Sequence, residues 1–482
     1  MSYRVLLFLM EALIHLKKVI IWFLTVLLIC GSSVSCTKKP LSSSTQDSSV
    51  QSIATSHETT GESPTTSIAD EHWADLDENL VDPASLTDED ATPIVIYSWN
   101  NEFKDLLDTY YIPDNAGFSY EYIVTEPSQY AAKLDFVLAS ADGAPDLFLL
   151  DIDLLKTYAT EENTLSISEL GVSYTELDKQ FGYTYNLAID GSGRISALTW
   201  MADPGGVFYN CALAKTYLGS DDPAVVQKSF TTWDGFMAMA QKINADSNGT
   251  VKAISGYDDI WSSFSFSREK GWDDNGSLYM DPMMDVFLDD AKQLTDEGLT
   301  WDTTQRDDAW YANMDNQSVL SYWGPLSLAE NELSVNSLYD DAEGTAPTWG
   351  FCAAPVSFFQ DGSWIAASKH DNNKATSADI LLFFTMDDVS MAKLAQDGIF
   401  VNNVAVMTTI AEDPAFGVAA LEGQNPFGIL VEQAMSVDPS VISPHEKNFE
   451  QVFLQIVKAY ANGDIASVTD AKAEFFGVPS SD

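Results

Sequence analysis

Five tryptophans stand where the chain is expected to turn. Trp99, Trp200, Trp261, Trp323 and Trp364 sit at expected strand ends or beside Gly, Pro, Asn and Asp, outside any periodic apolar face. An indole offers a broad apolar surface, and nearby Asp and Asn side chains supply hydrogen-bond acceptors and donors. Together they suit a ligand with flat C–H faces ringed by hydroxyls, the chemistry of a saccharide. The competing expectation for each ring is a place in a core or hinge. Trp233 and Trp349 are assigned there, because their segments read as a helix start and a buried strand.

Signatures of bond-making chemistry are missing. The sequence contains no phosphate loop, no His-Glu-x-x-His and no Gly-x-Ser-x-Gly. His15 falls in the leader, and His57 and His72 fall in a polar stretch, which leaves His370 and His445 as isolated histidines and not a metal pair. With 72 Asp and Glu in the chain, two carboxylates close in sequence say nothing about an acid–base pair. Asn244 to Gly249 resembles the start of a calcium loop, yet Ser255 stands at the twelfth position, where a bidentate Glu belongs. Asn248-Gly249 predicts a tight turn instead. The reading is a binding protein that is not an enzyme and needs no metal or cofactor.

Charge narrows the partners. The 24 Lys and Arg face 72 Asp and Glu, a formal net of -48, so a phosphate backbone would be repelled and nucleic acid is excluded. The acidic exterior suits a soluble monomer outside the cell. Arg4, Arg194, Arg268 and Arg306 are the only arginines, whereas phosphate and dicarboxylate pockets favour a bidentate guanidinium. That scarcity points to a neutral ligand.

The first residues read as an address. Lys17 and Lys18 precede an apolar run from Val19 to Ile29, too short to span a bilayer but suited to a secretory signal. Cys36 follows Ser33-Val34-Ser35, a small-residue stretch resembling a bacterial lipoprotein cleavage site, although Ser33 stands where leucine is usual. Residues 1–35 are expected as a signal peptide and Cys36 as the lipid-bearing residue that anchors the chain to the outer face of the cell membrane. Ordinary cleavage with a free cysteine is the alternative. Residues 36–91 are rich in Ser, Thr, Asp and Glu and read as a flexible tether. Cys211 and Cys352 lie in apolar segments and are expected as buried free thiols, with a disulfide between them left open.

At 482 residues the chain is too long for one core, and two lobes are expected. Strands are predicted at 94–97, 120–125 and 146–151, with helices at 102–110 and 128–139 between them. This alternation means an α/β lobe with a largely parallel sheet. Ligands of such sheets bind beyond the carboxyl ends of the strands, which places Trp99, Asn100 and Asp151 at a binding edge. Helices are predicted at 232–244 with Thr232 as N-cap, and at 287–297, 310–314, 375–386 and 446–461. Further strands are predicted at 349–356 and 363–368.

Several strings, weak singly, resemble a known family when taken in order. They are Tyr97 to Phe103, Pro145 to Phe148, Gly206 to Asn210, Thr232 to Phe236, Tyr322 to Pro325, Gly362 to Ser368, and Phe400 to Asn403. The chain resembles the family 1 extracellular solute-binding proteins of carbohydrate ABC importers over nearly all of residues 92–482. The resemblance implies an α/β, two-lobed periplasmic-binding-protein-like fold with a multi-strand hinge. It places residues 92–203 plus 354–408 in the first lobe and 204–353 plus 409–482 in the second. It also implies a cleft lined by Trp99, Asn100, Asp151, the Trp200 to Tyr209 crossover, Trp261, Trp323, Trp364 and Asn402. Leu326 stands where relatives often carry an aromatic. The implied partners are a neutral mono- or oligosaccharide and the permease of an ABC importer. A surface sensor or adhesion component of the same fold is the competing reading, and a secreted glycosidase a more distant one.

Overall fold

The computed structural model describes residues 80–89, 93–115, 117–274, 277–334 and 348–477. The signal segment, Cys36, His57, His72 and nearly all of the expected tether lie outside the described residues. Those described belong to one compact unit, Thr66–Asp482.

Apolar runs bounded by turn residues build a five-stranded sheet of order β2-β1-β3-β8-β4. Its strands are β1 (Ile94–Ser98), β2 (Tyr120–Val124), β3 (Leu147–Leu150), β4 (Ala197–Thr199) and β8 (Trp364–Ala367). Leu147, Phe148, Leu149 and Leu150 are all buried, the continuous apolar pattern of a strand covered on both faces. β1 runs parallel to β2 and β3, as the strand–helix alternation predicts. β8, however, runs antiparallel to both β3 and β4, so the sheet is mixed, with β1, β2, β3 and β4 sharing one direction and β8 opposing them. β8 returns from the second sheet without a crossover helix, and antiparallel pairing needs none.

The second sheet has three antiparallel strands, β6-β5-β7, formed by β5 (Gly205–Asn210), β6 (Ser321–Pro325) and β7 (Trp349–Cys352). β7 ends at Cys352, not near 356, because the chain leaves the sheet there to cross back towards β8. Cys211 and Cys352 are both free thiols, and Cys352 is buried.

Local signals place the helices well. Thr232 caps Trp233–Asp246 by accepting a hydrogen bond from Gly235 N at 3.1 Å. Helix Glu446–Ala461 matches its predicted span, while Met283–Asp296 begins before the predicted 287. The calcium-like string closes the helix ending at Asp246, with Asn248 and Gly249 at φ 53° and 82°. Lys252 Nζ donates to Asn244 Oδ1 at 2.7 Å, so a protein cation already takes that oxygen. Among the described residues, no group of three or more His, Cys, Asp or Glu is arranged to hold a metal ion.

Three stretches run side by side between the sheets. Ala202 N donates to Phe400 O at 3.1 Å and Asn402 N to Trp200 O at 2.8 Å. Gly205 N donates to Phe358 O at 2.9 Å and Gln360 N to Asp203 O at 3.2 Å. Only glycine fits at 205, since a Cβ there would lie 2.1 Å from the Phe358 ring.

Trp323 overturns one expectation. It lies in β6, opposite Val207, and is fully buried. Its ring stacks on Trp233 (centroids 5.8 Å apart, 14° between planes) and meets Phe230 and Phe236 edge-on. The strand pleat sends this side chain into the core, so Trp323 is no ligand platform. Trp323→Ala is therefore expected to cost ~3–5 kcal/mol of stability, the range for truncating a buried Trp. Urea denaturation checks this; an unchanged midpoint with binding lost would restore the platform reading.

Candidate ligand cleft

A cavity of about 560 Å³ opens at the carboxyl edge of the first sheet. Trp99 and Asn100 follow β1, Asp151 follows β3, and Trp200 and Asp203 follow β4. Asp361, Gly362 and Ser363 precede β8, whose antiparallel run brings its first residue to this same edge. The far wall comes from Leu326 and Ser327, just beyond β6, and from Lys447 in the first turn of helix Glu446–Ala461.

Trp99 is half-buried and meets Tyr130 edge-on with centroids 5.5 Å apart, which leaves ring surface on the cavity. Trp200 stacks on Phe103 at 5.2 Å and is 1% exposed. Among the described residues its indole nitrogen has no hydrogen-bond partner. A buried N–H without a protein acceptor leaves an unmet hydrogen-bond requirement in a residue that lines the cavity. Asp151 Oδ1 caps helix Ile152–Tyr158 through Leu154 N at 3.0 Å, and its Oδ2 accepts from Lys447 Nζ at 3.1 Å.

The five other residues predicted for the site do not line this cavity. Tyr209 belongs to β5 and not to a crossover; it is fully buried, and its hydroxyl donates to Asp221 O at 2.8 Å. Trp364 opens β8 but turns inward, its Nε1 donating to Thr184 O at 3.1 Å, so its neighbours Gly362 and Ser363 line the cavity instead. Asn402 is a buried clamp: Oδ1 accepts from Phe181 N at 3.0 Å, while Nδ2 donates to Thr184 Oγ1 at 2.9 Å and Thr199 O at 3.2 Å. Trp323 lies in the core, as described above. Trp261, on helix Asp258–Ser265, is 5% exposed and faces a smaller neighbouring chamber.

Glu102, Asp203, Asp361 and Lys447 were not anticipated. Asp203 and Asp361 adopt φ of 47° and 66°, in the left-handed region where Asp is tolerated better than most side chains. Asp203-Pro204-Gly205 and Asp361-Gly362 are turn strings that mark such positions. Nothing in the sequence marks Lys447. Its place follows from Glu446, whose carboxylate is buried and takes Arg268 Nη2 at 2.6 Å, Trp272 Nε1 at 2.8 Å and Ser443 N at 2.8 Å. Lys447 N also donates to Asp153 Oδ1 at 3.1 Å.

The lining carries six carboxylates (Glu102, Asp105, Asp151, Asp203, Glu330 and Asp361) and a single ammonium, that of Lys447. Burial raises the Asp203 carboxyl well above its usual range, and the charges of Glu102 and Asp361 add to the shift. Burial raises Glu102 as well; an Asn100 hydrogen bond opposes this and Asp361 reinforces it. For Lys447 burial acts to lower the pKa, but the charge and hydrogen bond of Asp151 outweigh it and hold the ammonium above its ordinary value. Such a wall repels anions and offers acceptors to hydroxyl or amine donors.

The profile of the bacterial extracellular solute-binding proteins matches residues 101–418. The chain is similar in structure to an extracellular solute-binding protein of family 1, at 17% identity and a TM-score of 0.67, covering 80% of this chain and 98% of that one. It is similar to a sugar-binding protein from Xanthomonas citri (14% identity, TM-score 0.62, 80% and 95% covered). It is also similar to an ABC-transporter-associated binding protein from B. animalis subsp. lactis, solved with beta-1,6-galactobiose (17%, 0.58, 80% and 96%). At these identities the likeness establishes the two-lobed fold. No curated protein matches the chain.

Asp203 supplies a pH prediction. A carboxyl whose folded pKa is raised contributes stability that is complete below its unfolded value near 3.8 and is lost as pH rises towards the folded value. Asp203→Asn removes that loss and tolerates the same backbone conformation. The variant is expected to melt close to wild type near pH 3.5 and above wild type at pH 7–8. Thermal melts across this range check the sign, and equal melting temperatures at pH 8 would show that the carboxyl carries no strain.

Proposed function

This chain belongs to the bacterial extracellular solute-binding proteins, and we propose that it captures a neutral carbohydrate in the cleft described above and passes it to the permease of an ABC importer. The observation that carries the reading is the cavity wall itself, where the half-buried Trp99 face and the free Trp200 N–H stand beside acceptor carboxylates. A sugar ring has apolar faces for the indole, hydroxyl hydrogens for the carboxylates and oxygens for the Trp200 donor. An anionic ligand would meet a wall in which acidic side chains outnumber the one ammonium six to one, with burial favouring the neutral form of Asp203.

In this reading the lobes comprise residues 92–203 plus 354–408 and 204–353 plus 409–482, and the sugar bridges them. A ligand shifts a two-state hinge only through better contacts in one state, and a bridging sugar makes them in the closed one. The protein acts as a monomer, without cofactor or turnover, on the outer face of the cell membrane. A lipid on Cys36 anchors it, and the residues that follow, up to about 79, serve as the tether; the expected span to 91 is too long, because Val81 N donates to Ser168 O at 3.0 Å and Glu89 N to Asn372 O at 2.8 Å.

A thermal-shift screen of the protein against mono- and oligosaccharides tests capture, since a ligand of the native state raises the melting temperature. Calorimetry on a hit is expected to give the same affinity with and without chelator; a large loss in chelator would sink the metal-free reading. Trp99→Ala is expected to weaken binding by ~1–3 kcal/mol, about tenfold to hundredfold, with melting near wild type. An unchanged affinity would remove Trp99 from the site. Cys36→Ala is expected to move the protein from the membrane fraction to the medium, and retention in the membrane would mean a different anchor.

A further inference from the structure

The end of the first sheet away from the cleft buries two carboxyls side by side. Asp146 stands just before β3 and Asp371 lies in the turn after β8, at 6% and 4% exposure. Asp146 is well supplied with donors. Its Oδ2 accepts from Val95 N at 2.7 Å, and its Oδ1 from Asn372 N at 3.3 Å and Asn373 Nδ2 at 3.2 Å. Asn373 also donates its backbone N–H to Asp371 Oδ1 at 2.7 Å, so one residue grips both acids. Asp371 Oδ2 is buried and lacks a hydrogen-bond partner among the described residues.

No cation balances the pair. Among the described residues neither acid enters an ion pair. The turn carries Lys369 and His370, helix Lys374–Thr385 carries Lys374 and Asp379, and the stretch packed on them carries Asp88 and Glu89. Asp379 accepts from Tyr111 Oη at 2.5 Å, and Asp88 from Thr376 N at 3.1 Å and Thr376 Oγ1 at 2.7 Å. Arg194 reaches Thr164 O, beside Ser368, but pairs with Asp190 at 3.2 Å. Exposed Asp142, Glu161 and Glu162 on the neighbouring loops add only negative charge. Two adjacent buried carboxyls without a cation do not both ionise; one keeps a proton and donates it to the other. Three N–H donors favour the charged form of Asp146, which leaves the proton on Asp371, where burial and contact with Asp146 both favour the neutral form.

The same turn receives residues 88 and 89. Asp88 pairs antiparallel with Asn373, and Glu89 N donates to Asn372 O at 2.8 Å. Val81 N donates to Ser168 O at 3.0 Å, so residues 81–89 lie along this face as a strap. We propose that Asp146 and Asp371 share one proton and that this proton is a latch, closing the turn on which the strap docks. When the proton passes to solvent at alkaline pH, two like charges meet in a buried space, the turn opens and the strap loosens. The latch lies at the opposite end of β3 from Asp151, so it governs how the strap is held and leaves the ligand cleft alone.

Hydrogen exchange of the intact protein, read by mass spectrometry from about pH 5 to about pH 9 and corrected for intrinsic rates, tests the latch. Burial first, and then contact with Asp146, push the Asp371 carboxyl up to about 8, against the opposing Asn373 N–H. A carboxyl raised in this way stabilises the closed turn fully below its ordinary value of 3.8, and that contribution is lost as pH rises towards 8. Protection of residues 81–89 and 369–376 is therefore expected to fall about tenfold per pH unit between about pH 5 and about pH 8, then level off. Asp371→Asn puts an amide donor where the proton was, and it is expected to hold that protection constant across the range. Wild-type protection independent of pH overturns the latch, whether or not the variant folds. A slope retained in the folded variant does the same. Protection at about pH 8 that rises with added calcium chloride or sodium chloride also overturns it, because a cation then sits where the proton is proposed.

Discussion

The crossover side of the cleft hangs from the backbone hydrogen bonds that join Trp200 to Gly205 with Phe358 to Gln360 and Phe400 to Asn402. These stretches connect the two sheets, and they also deliver Trp200, Asp203, Asp361 and Phe400 to the cavity wall. One set of bonds thus performs two tasks, joining the halves and shaping the ligand's surroundings. Asn402 reinforces it from behind by tying Phe181, Thr184 and Thr199 together through one buried amide. A buried amide with its bonds satisfied fixes a geometry that an apolar residue of similar size would leave loose.

The far wall depends on a different constraint. Glu446 and Arg268 are buried as an ion pair, with the guanidinium 4.7 Å from the Trp272 ring. A buried pair of this kind is weak support for stability, because desolvation offsets much of the attraction. Its consequence here is positional. It pins the first turn of the helix Glu446–Ala461, so Lys447 meets Asp151 across the cavity. The lysine is then the one cation facing six carboxylates, and the balance of the wall remains strongly acidic. The acidic character of the whole chain reaches into the cleft, where acidic side chains outnumber the one ammonium.

Much of the first lobe was legible because its signals are local. β1, β2 and β3 are short apolar or β-branched runs bounded by turns, and the parallel arrangement of these three follows from the helices between them. The rule that ligands gather beyond strand carboxyl ends placed Trp99, Asn100 and Asp151 at one edge, and the structure has a cavity there that all three line. The antiparallel entry of β8 was not legible, because it pairs residues 147–150 with 364–367 across more than two hundred positions. For the same reason Trp323 and Trp364 looked like cleft residues. Both stand beside glycine or proline, yet a strand pleat decides which face a side chain takes, and pairing partners decide whether that face is buried.

The sequence by itself determined the acidic surface, the scarcity of arginine, the order of strands and helices, and the aromatic and carboxylate materials of the site. These are properties of composition and of neighbours within a few residues. Only the tertiary structure decided which tryptophans line the cleft. It brought Glu102 and Asp361 close enough to Asp203 to add to the upward shift of its carboxyl, and it set Lys447 opposite Asp151 nearly three hundred residues away. The physical reason is range. Propensity and turn chemistry act along the chain, whereas burial and charge act through space, and the residues they couple share no local pattern.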